Sequence, residues 1–211
     1  MRACVRFFAV GLLCAFVFAT NAYAESAKES LERSFTLVLE ILKNPDYADP
    51  VKRPPLREKI ANLVRSQFDA KEFSTRTLGP KWQTMTAAQQ ESFASAFVEL
   101  LIQTYVNKVN GYHGEQISVV GEKSNPKGDR KEIQTIVLVP SGKKIPINYR
   151  MLPKGDTWMV YDVLIEQISL VKNYRTQFQE LFKTQSIDAV IERIRAKTKE
   201  LAENANDPKS K

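Results

Sequence analysis

Cysteine and histidine are scarce in this chain of 211 residues. The two cysteines, Cys4 and Cys14, lie in a leader that we expect to be removed, so the remaining chain has no thiol for disulfides, catalysis or metal ligation. His113 is the only histidine, and one imidazole cannot build a usual zinc site. The eight glycines form neither a phosphate-cradling loop nor a Gly-x-Ser-x-Gly motif. We therefore expect a protein that is not an enzyme, without a metal or a cofactor.

The N-terminus predicts export. Arg2 and Arg6 precede an uncharged apolar run over residues 7–19, which Ala22-Tyr23-Ala24 follows before the polar chain begins. This order is typical of a secretory signal peptide over residues 1–24. The apolar run is too short for a membrane anchor, which needs about 20 residues. We expect the rest of the chain in the periplasm of a Gram-negative cell.

The charge balance is mildly basic. Without Arg2 and Arg6, 29 of the 31 basic residues remain against 24 acidic ones, so the net charge falls from +7 to +5. The basic residues are scattered and form no stripe, which together with export argues against nucleic acid as a partner. A mild positive balance favours approach to anionic membrane surfaces.

Apolar residues at steps of three and four predict helices on both sides of the middle of the chain. Asp69 is placed to cap one of them, and Thr86 with Gln89 has the spacing of a capping box. The predicted helices span residues 31–42, 56–68, 70–78, 86 to about 111, 170–183 and 187 onward.

The middle of the chain changes to period two, which predicts strands over residues 116–122, 133–139, 144–152 and 157–168. Short links containing glycine or proline indicate an antiparallel meander. In the third strand Ile147 and Tyr149 alternate with Asn148 and Arg150, so the sheet is covered on one side only. The fold class is α+β: an antiparallel four- to five-stranded curved sheet with helices packed on its apolar face. One domain is expected over residues 25–202, followed by a disordered polar tail over residues 203–211.

Two carboxylates are the remaining catalytic candidates. Parity places Asp162 and Glu166 on one face of the last strand, where they would form an acid/base pair. The preferred interpretation is a solvated face on which Arg150 or Lys144 is the cross-strand partner. No catalytic residue is predicted.

Several segments resemble one known family. The block IEQISLVKNYRTQF, residues 165–178, resembles a specific segment of the MlaC (toluene-tolerance) family, although Gln167 stands where the family usually has glycine. The resemblance covers roughly residues 30–200. Further matching segments are Phe68-Asp69, Thr77-Leu78-Gly79, Tyr112-His113-Gly114-Glu115, Ile145-Pro146-Ile147-Asn148-Tyr149-Arg150 and Trp158-Met159-Val160-Tyr161-Asp162-Val163.

The resemblance implies a periplasmic phospholipid-binding protein whose cargo is diacyl phospholipid. Its implied partners are an outer-membrane lipoprotein–porin complex and an inner-membrane ABC transporter complex with an MCE-domain subunit. The implied role is to carry lipid between the two and so maintain outer-membrane lipid asymmetry. Two acyl chains hold about 30 methylenes, and exposing them to water costs about 24 kcal/mol, so such a lipid needs a host.

On this hypothesis the lipid tails lie in a cavity between the apolar face of the sheet and the helices. The head group is expected at the mouth, near Arg150 or Lys172. Strand parity and helical stripes select the predicted lining residues: Leu78, Trp82, Phe97, Leu101, Tyr105, Ile147, Tyr149, Val163, Ile165, Ile168, Val171 and Tyr174.

Two other functions stay open at this point. An NTF2-like enzyme acting on a small substrate would use a similar curved sheet and predicts buried polar groups inside the cavity. A peptide-binding adaptor would hold a partner segment in an apolar cleft. A lipid carrier predicts a cavity that is almost purely apolar.

Overall fold

Local capping signals define where the helices begin. The computed structural model describes residues 25–106, 109 and 112–206. In it the Ser26 side chain accepts a hydrogen bond from the Glu29 amide, and the Glu29 carboxylate accepts one from the Ser26 amide. The Asp69 carboxylate accepts from the Glu72 amide at 3.0 Å. Seven helices occur in the described part: α1 Ala27–Leu42, α2 Arg53–Gln67, α3 Ala70–Leu78, α4 Pro80–Gln83, α5 Ala87–Val106, α6 Leu170–Leu181 and α7 Ile187–Asn206.

The predicted capping box of α5 is confirmed. The Thr86 amide donates to Gln89 Oε1 at 3.1 Å, and the Gln89 amide donates to Thr86 Oγ1 at 3.2 Å. The described helix ends at Val106; most of the predicted extension, residues 107, 108, 110 and 111, lies outside the described residues. The predicted signal peptide over residues 1–24 also lies outside them.

The C-terminal helix runs further than expected. It continues to Asn206, so the predicted start of a polar tail at residue 203 is wrong. Arg57 of α2 donates to the carbonyl of Ala205 at 3.1 Å, which ties the end of α7 to the helical layer. Residues 207–211 lie outside the described residues.

The sheet is a five-stranded antiparallel meander in the order β1-β2-β3-β4-β5, which confirms the predicted α+β class. Helices pack on its apolar face and build one main core with it. The strands are β1 Gln116–Ser124, β2 Lys131–Leu138, β3 Lys144–Lys154, β4 Thr157–Ile165 and β5 Ile168–Ser169.

The predicted single strand over residues 157–168 is wrong. The strand ends at Ile165, and Glu166 and Gln167 form a tight turn with φ of 49° and 69° before β5 pairs back on β4. Two-residue hairpin turns with φ > 0 at both positions favour Asn and Gly, and neither is present, so the turn carries no local signal. Gln167 occupies the left-handed region at a cost of roughly 1 kcal/mol, at a position where the resemblance expects glycine. The turn directs Ile168 outward, and it is 63% exposed.

Alternation along the last predicted strand places Met159, Tyr161, Val163 and Ile165 on one face, but a bulge in β4 reverses the facing of its first half. Arg150 pairs with Asp162 and Met151 pairs with Val160, so Tyr161 is an extra residue without a cross-strand partner. Val160 therefore joins the main core, whereas the Tyr161 ring packs between the Arg76 and Arg130 guanidinium groups. The prediction that Met159 and Tyr161 share the core face with Val163 and Ile165 is wrong.

An aromatic group fills the space between α3, α5 and α6. Phe97 is fully buried and lies 5.0–5.6 Å, between ring centroids, from the rings of Phe73, Phe93, Tyr174 and Phe178. Edge-to-face geometry adds stability to the area that these rings bury. None of the described helices is long and apolar enough to cross a membrane.

Candidate functional site

The apolar face of the sheet divides into a closed end and a partly accessible end. At the closed end Ile133, Met151 and Val160 are fully buried. At the other end, apolar side chains pack against the main core and yet remain partly accessible. They come from α1, from β1, β3 and β4, and from the facing parts of α5 and α6. We call this group the cleft; its members are Phe35, Tyr105, Val119, Ile147, Tyr149, Ile165 and Tyr174.

Tyr149 is a partly accessible member of the cleft that protein largely surrounds. Burial raises the pKa of Tyr149 to about 12, so protein surrounds its phenol. Its side chain nevertheless keeps accessible area, and its ring meets Phe35 of α1 edge-on at 5.4 Å between centroids. Tyr149 is therefore incompletely packed on the apolar side of the sheet, as a side chain that contacts an apolar ligand would be.

Tyr105 and Tyr174 bring hydroxyls to the helical side of the cleft. The two phenols share a hydrogen bond, and the Thr104 hydroxyl, which donates to the carbonyl of Leu100 at 2.7 Å, lies beside Tyr174. Burial raises the pKa of Tyr174 to about 12 and also raises the pKa of Tyr105. These phenols stay protonated and uncharged near neutral pH, so the described lining of the cleft is apolar with a few neutral hydroxyls.

The structure separates the twelve predicted lining residues into three groups. One is Ile168, which the turn after β4 places outside the core. Five are partly accessible and belong to the cleft: Tyr105, Ile147, Tyr149, Ile165 and Tyr174. Six are closely packed in the main core: Leu78, Trp82, Phe97, Leu101, Val163 and Val171.

Two of the packed residues line other spaces. Trp82 borders a surface cavity of about 500 Å³ between α2, α3 and α5. Leu78 borders one of about 200 Å³ between α3 and α6. Strand parity and helical stripes identify core-facing positions but not which of them border a void. Phe35 and Val119 also belong to the cleft, although neither is among the predicted lining residues.

The polar face of the sheet holds a network centred on Arg150. Arg150 donates to Glu132 at 2.8 Å and to Asp162 at 3.2 Å, which confirms Arg150 as the cross-strand partner of Asp162. Asp162 also accepts from the Ser169 hydroxyl at 2.7 Å and from the Val171 amide at 3.1 Å. It thereby fixes the start of α6 to the sheet. The expectation of a solvated face is wrong at Asp162, which is 3% exposed because Ser169 and Val171 cover it.

This network does not face the cleft. Arg150 alternates with the cleft residue Tyr149 along β3, so it lies on the opposite face and is not placed to meet a head group there. Glu166 lies in the turn after β4 and pairs with Lys143 at 3.4 Å. No group of three or more His, Cys, Asp or Glu side chains in the described part of the chain is arranged to hold a metal ion.

Comparison with known families gives one match over most of the chain. The model of the family described as MlaC protein matches residues 32–196. Two curated relatives align with similar coverage. The intermembrane phospholipid transport system binding protein MlaC of Haemophilus influenzae is 22% identical over 195 residues, which is 87% of each chain. The toluene tolerance protein ttg2D of Pseudomonas putida is 24% identical over 178 residues, covering 84% of this chain and 82% of its own length.

A solved structure shares the fold. The phospholipid-binding protein from Ralstonia solanacearum, determined in complex with a phospholipid, superposes with a TM-score of 0.72 at 19% identity. The superposition covers 84% of this chain and 99% of the other.

Proposed function

Because the chain belongs to the MlaC protein family, we propose that it binds diacyl phospholipid and carries it through the periplasm between the inner and outer membranes. The observation that carries this proposal is the cleft: a group of apolar, partly accessible side chains between the sheet and α1, α5 and α6. The lipid tails would take the place of the water that now reaches Ile147, Tyr149 and Ile165.

The energetics suit such a cargo. Each methylene moved from water into an apolar space gains about 0.8 kcal/mol, so two acyl chains require an extended apolar lining. The cleft offers aliphatic and aromatic side chains from three strands and three helices. The charged network of Arg150 and Asp162 stays on the other face of the sheet, where it does not oppose the entry of tails.

The relatives support the same cargo. The Haemophilus influenzae protein is named as the binding protein of an intermembrane phospholipid transport system, and the Ralstonia solanacearum structure contains a phospholipid. The family resemblance supplies the proposed exchange partners: an inner-membrane ABC transporter complex with an MCE-domain subunit and an outer-membrane lipoprotein–porin complex. Exchange with both would maintain the lipid asymmetry of the outer membrane.

Transfer to a membrane complex tests the proposed role. Residues 25–211, loaded with isotopically labelled phosphatidylethanolamine, are incubated with proteoliposomes that contain the inner-membrane complex with its MCE-domain subunit. We expect labelled lipid to exchange between the protein and these proteoliposomes much faster than with vesicles that lack the complex. Equal exchange with both kinds of vesicle would contradict the assignment of this partner.

A further inference from the structure

Tyr149 carries a polar atom into an otherwise apolar part of the cleft. Across the sheet it lies between Ile133 of β2 and Val163 of β4, and Phe35 of α1 packs on its ring. None of these side chains can accept a hydrogen bond. Its hydroxyl has no hydrogen-bond partner among the described residues, and desolvation is the sole cause of its raised pKa.

The phenols of Tyr47, Tyr105 and Tyr174 do have hydrogen-bond partners. The Tyr47 hydroxyl donates to the carbonyl of Val109 at 2.9 Å, and Tyr105 and Tyr174 bond to each other. Tyr149 keeps accessible area, so its hydroxyl can bond to water when no ligand is bound. Lipid tails that displace this water would leave the hydroxyl without a partner, which is destabilising. An acceptor is therefore expected to enter the cleft with the ligand.

The phenol is available as a donor toward such a ligand group. Because burial raises the pKa of Tyr149 to about 12, the hydroxyl keeps its proton throughout the physiological range. In a diacyl phospholipid the ester carbonyls are acceptors that join directly to the tails. Dialkyl ether lipids of equal chain length bury the same methylenes but lack these carbonyls.

Resting on the proposed function, we infer that the Tyr149 hydroxyl donates a hydrogen bond to an ester carbonyl of the bound lipid. Tyr149 is then a specificity-determining residue that favours ester-linked over ether-linked phospholipid. Its position on β3 against Phe35 would also fix how deeply the glycerol backbone enters the cleft.

Competition between two lipids tests this inference. Delipidated protein is loaded from mixed micelles that contain equal amounts of a diacyl phosphatidylethanolamine and its dialkyl ether analogue, and native mass spectrometry gives the bound ratio. We expect the unaltered chain to prefer the diester by about 2- to 10-fold, the range that one net hydrogen bond supplies. Tyr149→Phe keeps the ring and should reduce this ratio to about one.

Tyr47→Phe is the matched control. It also removes one buried phenol hydroxyl, but Tyr47 belongs to a second apolar cluster with α2 and α5, so the preference should stay as in the unaltered chain. Equal loading of the two lipids by the unaltered chain, or a preference that survives in Tyr149→Phe, would overturn the role of Tyr149 while lipid binding stands. Failure of the unaltered chain to bind either lipid would overturn the proposed function and this inference together.

Discussion

The Ile147→Trp protein should bind phospholipid roughly 100-fold more weakly than the unaltered chain. Ile147 lies in the middle of the cleft, paired with Thr135 and Ile165 on the neighbouring strands. An indole there would occupy the space of about four tail methylenes, which removes about 3 kcal/mol of binding free energy. The phosphorus-to-protein ratio of the purified chain measures the loss.

Val120→Trp is the control for this substitution. Val120 also lies in a strand but is 57% exposed beside the bulge of β1, so the same indole added there should leave the lipid content unchanged. Circular dichroism and urea unfolding verify that both variants fold. A folded Ile147→Trp protein with a full complement of lipid would place the binding site elsewhere.

Phe97→Ala should lower the free energy of unfolding by about 3–5 kcal/mol, the loss typical of a large aromatic side chain removed from a packed core. Phe97 is fully buried, and four aromatic rings surround it. The neighbours belong to α3, α5 and α6, so the cavity left behind would loosen three helices at once. Urea unfolding of the delipidated protein measures this change.

Phe182→Ala is the control variant with which the stability of Phe97→Ala is compared. Phe182 is partly buried at the end of α6 and meets Phe178 at 6.4 Å, so its removal should cost clearly less stability. If Phe97→Ala instead kept its stability and lost lipid, the ring would face the ligand rather than the core. That outcome would restore Phe97 to the lining that its helical stripe predicts.

Local signals predict much of the fold. Asp69 as a cap and the Thr86–Gln89 box place the starts of α3 and α5 correctly because each signal depends on residues only three positions apart. No such local signal predicts the turn at Glu166 and Gln167 or the extra residue Tyr161. Both depend on how β4 registers against its neighbours, which no periodicity within one segment encodes.

For the candidate site, the sequence predicts which side chains lie on the apolar face of the sheet but not which of them belong to the cleft. Alternation in β3 identifies Ile147 and Tyr149 as core-facing, and the structure finds both in the cleft. Alternation cannot distinguish them from Met151, which is on the same face of the same strand but fully buried. How closely a helix packs on the sheet at a given residue depends on the tertiary packing of the helices and the sheet, which the alternation within one strand does not encode. For the same reason the contact of Phe35 with Tyr149 has no sequence signal.

The lipid content of the native protein tests the central claim most directly. The chain is purified from periplasm without detergent, and an organic extract of it is analysed by mass spectrometry against a protein standard. The account predicts intact diacyl phospholipid at about one molecule per chain, bound where tails cover Ile147, Tyr149 and Ile165. Native protein whose extract contains no phospholipid above the level of the control preparation would contradict it.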